Sequence, residues 1–139
     1  MKKKILIGAG VAIIIVVISF YVILPYLFVG PATPLFYINN YDQNASHQVF
    51  VEIFNPDNEP IFKEMYDLAP GENIDCPKPV YLKILWPKGE YRFEITLDNE
   101  INKTYKTRIY PYLTVVIDLY HVDPFSKEVY PVWVGTVVV

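Results

Sequence analysis

The chain has 139 residues, 53% hydrophobic and 19% charged, with twelve basic residues against fifteen acidic ones and a net charge of −3. Three of the basic residues are Lys2, Lys3 and Lys4, so the rest of the chain carries nine against fifteen, a net of −6; that sign removes nucleic acid from the candidate partners, because phosphate recognition needs a basic field. Cys76 is the single cysteine, which excludes an intrachain disulfide and a four-thiolate zinc site.

The first predicted element is a helix. From Ile5 to Leu24 only Ser19 and Tyr21 carry polar side-chain atoms. Twenty helical residues rise about 30 Å, the hydrocarbon thickness of a bilayer. Signal peptides have shorter apolar cores, about 7–15 residues, ending at a small-x-small cleavage site. Here the nearest such site, Gly30-Pro31-Ala32, is interrupted by proline. The expectation is a retained anchor: residues 1–30 form a cytoplasmic lysine cluster and a transmembrane helix, with lipid contact over residues 5–24. Basic residues stay on the cytoplasmic side, so Lys2, Lys3 and Lys4 predict a cytoplasmic N-terminus and an extracellular C-terminal domain at the cell membrane. Pro25 predicts a kink or the helix exit. Pro31 and Pro34 predict a stiff spacer over residues 31–34.

Beyond residue 34 the apolar pattern changes to period two, the mark of half-buried strands. Strands are predicted at 36–39, 48–54, 61–68 and 80–86. In 90–97, Tyr91, Phe93, Ile95 and Leu97 alternate with Arg92, Glu94 and Thr96. The turn Asp98-Asn99-Glu100 leads to a strand at 101–109, with Asn102 on its wet face. In 113–120, Leu113, Val115, Ile117 and Leu119 oppose Thr114, Val116, Asp118 and Tyr120. A last strand is predicted at 128–139. Short strands about ten residues apart, with no helix outside the membrane, predict an all-β fold. The expected architecture is an immunoglobulin-like antiparallel β-sandwich of 7–8 strands over residues 35–139, preceded by one N-terminal transmembrane helix.

Two stretches carry a resemblance: VFVEIFNPDNEPIFKEMYDLAPGE and PKGEYRFEITLDNEINKTYKTRIYP. The turn Leu68-Ala69-Pro70-Gly71-Glu72 and the strand opening Pro87-Lys88-Gly89-Glu90-Tyr91 resemble those of immunoglobulin-like domains on archaeal and bacterial cell surfaces. With the lysine-headed helix, the chain is similar to small archaeal membrane proteins. It resembles more weakly the archaellum stator proteins, which pair a membrane helix with an outer β-sandwich. These motifs specify turns, so the resemblance implies a fold and a cell-surface location rather than a chemistry.

Chemistry is sparse. His47 and His121 are the only histidines, and both read as exposed strand-end residues. No Gly-x-Ser-x-Gly turn is present. Cys76 is followed by Pro-Lys-Pro, without the nearby ligands of a blue-copper site. Asp57-Asn58-Glu59 and Asp98-Asn99-Glu100 read as hairpin turns rather than calcium cages. The expectation is therefore no enzyme activity, no cofactor and no metal. Asn44-Ala45-Ser46 and Asn102-Lys103-Thr104 are acceptor sequons, making Asn44 and Asn102 glycosylation candidates of an extracellular glycoprotein. Residues 129–139 lack charge; they read as a closing core strand, or as an exposed edge with Tyr130 and Trp133 as contact anchors. The functional expectation is a non-catalytic single-pass surface protein whose outer domain contacts an envelope protein or its own copies. The alternative is an archaellum-stator-like or pilin-like component of a surface filament. Lys4 leads directly into Ile5 without a glycine, which counts against pilin processing.

Overall fold

The computed structural model describes residues 2–29, 33–84 and 88–138. The chain divides into two compact units, Met1–Ala32 and Thr33–Val139. The first is a single helix, α1 (Lys2–Val29). Its stretch Ile7–Leu24 is long and apolar enough to cross a membrane, and none of it is buried. The helix continues through Pro25 to Val29, so Pro25 is not the exit. Proline forfeits one backbone bond, whereas ending the helix there would leave several carbonyls without their intrahelical partners.

The second unit contains β1 (Phe36–Asn40), β2 (His47–Phe54), β3 (Pro60–Leu68), β4 (Asn73–Cys76), α2 (Val80–Ile84), β5 (Tyr91–Leu97), β6 (Ile101–Thr107), β7 (Leu113–Val122) and β8 (Val129–Val138). They form two four-stranded sheets, ordered β4-β1-β7-β8 and β3-β2-β5-β6. Neighbours are antiparallel except β1 and β7, which run parallel from Phe36 opposite Val115 to Asn40 opposite Leu119. This corrects the all-antiparallel expectation. Only a short hairpin turn forces antiparallel pairing, and most of the domain separates these two strands.

The sheets share one core. Phe36, Ile38, Val115, Ile117 and Leu119 come from the first sheet, and Val49, Val51, Ile53, Phe93, Ile95 and Leu97 from the second. Phe36 meets Phe62 and Tyr66 edge-on, at ring distances of 5.5 and 6.0 Å. Cys76 joins this core. Thr33 and Pro34 are tied into the domain: the Thr33 amide donates to the Pro111 carbonyl at 3.2 Å, and the Thr114 hydroxyl donates to the Pro34 carbonyl at 2.9 Å.

The strand expected at 80–86 is not one. Its described part is the single helical turn α2, and residues 85–87 lie outside the described residues. The place beside β1 belongs to β4, whose Ile74 and Cys76 pair opposite Ile38 and Phe36. Pro77 and Pro79 cannot donate to a ladder, so the strand ends at Cys76 and the chain coils. The expectation of no helix outside the membrane is corrected with it. Lys78, 3% exposed, fixes this corner by donating to the carbonyls of Tyr110, Pro111 and Leu113 at 2.8, 2.9 and 2.9 Å.

Candidate functional site

The β1–β2, β3–β4, β5–β6 and β7–β8 connections gather at the end of the domain opposite the chain's entry at Thr33. His47 sits among them. It is 8% exposed, which corrects the reading of an exposed strand-end residue. Its Nδ1 lies 2.7 Å from Asp98 Oδ2 and its Nε2 3.0 Å from Asp42 Oδ2. Ionised carboxylates only accept, so both ring nitrogens donate and the ring is an imidazolium. Burial opposes that charge, but the two carboxylates outweigh it and hold the His47 pKa above its usual value. Asp42 is held below the usual carboxylate range, chiefly by the Asn44 amide at 2.8 Å and then by His47.

Local sequence explains the placement of Asp98. Asp98 and Asn99 adopt positive φ, 52° and 58°, and the Glu100 amide returns to the Leu97 carbonyl at 3.0 Å. This two-residue hairpin turn suits Asp and Asn, which tolerate left-handed backbone. Across the domain the Tyr120 ring lies 4.6 Å from the His47 ring. Tyr120 has φ 54°. The left-handed step breaks the alternation of β7 and brings this ring over the second sheet's His47, not onto the outer face predicted for it. The cluster borders an open depression of about 600 Å³, lined also by Ser46, Gln48, Asp67, Ala69, Glu72 and Asn99. Among the described residues, no group of three or more His, Cys, Asp or Glu is placed to hold a metal ion.

A second cluster lies on the outer face of the first sheet, where Asn39, Asp118 and Trp133 form one row across β1, β7 and β8. The Asn39 amide donates to Asp118 Oδ1 at 2.7 Å. His121 Nδ1 stands 3.3 Å from Asp118 Oδ2. The Trp133 ring stacks on His121 at 5.1 Å, and Tyr41 meets His121 edge-on at 6.2 Å. Trp133 also reaches across Gly135: a β-carbon there would fall 2.3 Å from its Cη2. His121 is thus half-buried and partnered, not a free strand-end residue.

The sheets leave four edge strands. β4 is only four residues long. β3 carries Lys63, Glu64 and Asp67, and β6 carries Lys103 and Lys106. Short length and charge both blunt an edge. β8, ten residues long, has no charge, and Pro131 interrupts only its first part. Tyr130 is exposed with its hydroxyl donating to Glu128 at 2.8 Å, while Trp133 belongs to the outer face beside the edge. At the β7–β8 turn Asp123 Oδ1 accepts from the amides of Phe125 and Ser126 at 2.8 and 2.7 Å, presenting a Phe125 that is 93% exposed. Asn44 and Asn102 are both exposed; the Asn102 side-chain oxygen accepts from the Thr96 hydroxyl at 2.7 Å. No family model, curated protein or solved structure matches the chain.

Proposed function

We propose that this chain is a single-pass cell-surface protein whose outer domain, an immunoglobulin-like β-sandwich, makes non-catalytic protein contacts along β8. The carrying observation is the contrast among edges: three are blunted by charge or brevity, and β8 is long and uncharged. An unblunted edge pairs readily with a strand of another chain, its backbone supplying affinity and its alternate side chains selectivity. The apolar α1 supports a membrane-tethered setting. The non-catalytic reading is supported at the depression, where both nitrogens of His47 are occupied by carboxylates and neither is left to take a proton from a substrate.

A photoreactive residue at Val137 tests this in intact cells, with one at Thr104 on β6 as the comparison. The expected result is a discrete protein adduct from position 137, none from 104, and loss of the adduct on adding Thr136→Lys, a change at an exposed position of the strand. Equal adducts at both positions, or none at 137, would contradict the proposal.

A further inference from the structure

The two outer faces of the domain are finished differently. On the second sheet the aromatics are capped by cations: Lys63 lies 5.3 Å from the Phe50 ring centre and Arg92 lies 4.2 Å from that of Phe54. Glu52 and Glu94 complete a charged surface there. On the first sheet Tyr37, Tyr41 and Trp133 are exposed, and no cation covers them among the described residues. Their surroundings are nevertheless not apolar. Asn39 and His121 stand between the rings, over an Asp118 that is 5% exposed.

We propose that this face binds a neutral carbohydrate, with Trp133 as the ring on which a sugar stacks and Asn39 and His121 as the groups that bond its hydroxyls. A pyranose has an apolar C–H face and a rim of hydroxyls, so its complement is a fixed aromatic ring with neutral donors and acceptors beside it. Trp133 is fixed from two sides, by stacking on His121 and by its passage across Gly135. His121 Nδ1 is turned toward Asp118 Oδ2 at 3.3 Å, so Nε2 is the ring nitrogen left to meet a sugar hydroxyl, which can both donate and accept. One N–H of the Asn39 amide is spent on Asp118, leaving its other N–H and its oxygen. Tyr37 lies in the next row, level with Val116 and Gly135, two strands away from the latter at roughly 10 Å. It offers a second ring for a longer chain.

Other ligand classes fit less well. An apolar protein surface would strip water from Asn39 and His121 without replacing it, at about 1–3 kcal/mol for each unmet group. An anion meets the field of Asp118 and of Asp75, which pairs opposite Tyr37. A cation finds Asp118 buried and already bonded to Asn39. The inference stands apart from the β8 edge, since it uses side chains of the face and no backbone group of the edge.

The test uses the full chain in detergent micelles with Trp86→Phe, so that Trp133 is the only tryptophan. Cellohexaose, chitohexaose and mannohexaose are titrated separately, with dextran sulfate as the anionic comparison. The expected result is a saturable change in Trp133 emission with at least one neutral oligosaccharide and none with dextran sulfate. Asn39→Ala, which leaves the aromatic ring in place, and Gly135→Ala, which displaces it, each weaken that binding about tenfold or more, while both variants keep a cooperative thermal transition. No saturable change with any of the three oligosaccharides overturns the proposal. So does equal binding of dextran sulfate, or binding unaltered in both folded variants.

Discussion

Lys78 places an ammonium inside the domain, where its three donors meet three backbone carbonyls. Burial, with Lys83 nearby, pushes its pKa down to about 8, so the charge persists at neutral pH. Lys78→Met keeps the stem's packing and leaves those carbonyls without a partner. The expected loss is about 1–3 kcal/mol, read as a fall in Tm of roughly 4–8 °C per kcal/mol for a domain of this size. His47 is the second such residue. Its folded pKa is raised above the model-peptide 6.5, so its contribution is complete below that value and is lost as pH rises through the folded pKa. Asp42 is depressed below 3.8, so its contribution is complete above that value and is lost as pH falls through the folded pKa. Melting curves of the native chain and His47→Gln should therefore differ most in the mildly acidic range between those limits, and the gap should narrow above neutrality. A gap independent of pH would count against the imidazolium. Neither role of His47 nor that of Tyr120 was legible beforehand. Hydrophobic alternation marks which face a side chain takes while the backbone stays extended; it carries no sign of φ, and the left-handed step at Tyr120 is invisible to it. The carboxylate partner on Asp98 is fifty-one positions from His47, beyond any local pattern.

At the scale of elements, period two found the long strands, because β2, β5 and β7 each send every second residue into a shared core. It failed at 80–86 because Val80, Leu82 and Ile84 also alternate with Tyr81 and Lys83, while two prolines just upstream had already ended the ladder. It missed β4 because four residues are too few for an alternation to stand out. The β5–β6 turn was legible in its residue types, and its geometry gives a sharp prediction. Asn99 has φ 58°, a region costing roughly 1–2 kcal/mol for residues with an ordinary β-carbon. Asn99→Gly should leave the urea midpoint unchanged or raise it, and Asn99→Ala should lower it by the equivalent of about 1 kcal/mol. A tighter constraint acts at Gly71, φ 71°, whose amide donates to the Asp42 carbonyl at 3.1 Å and ties the β3–β4 turn to the loop that supports His47.

At the scale of the whole molecule, the chain joins a helix with an unburied apolar surface to a domain that is self-sufficient in its core. The split into these units was readable from the change of period near residue 34, because hydrocarbon demands a continuous apolar run and a water-facing sheet demands alternation. The proposed placement of the domain outside the cell rests on Lys2, Lys3 and Lys4 through the positive-inside rule, and no packing within the domain bears on it. Cys76 is a poor reporter for that question, since it is buried in the core. Ser126, exposed in the β7–β8 turn, is a good one. The most direct measurement is labelling of a Cys76→Ala, Ser126→Cys variant of the full chain with a membrane-impermeant maleimide, in intact cells and after lysis. An anchored outer domain predicts full labelling before lysis, with the labelled protein recovered in the membrane fraction after an alkaline carbonate wash. Labelling that appears only after lysis, or a labelled protein released into the wash, would contradict it.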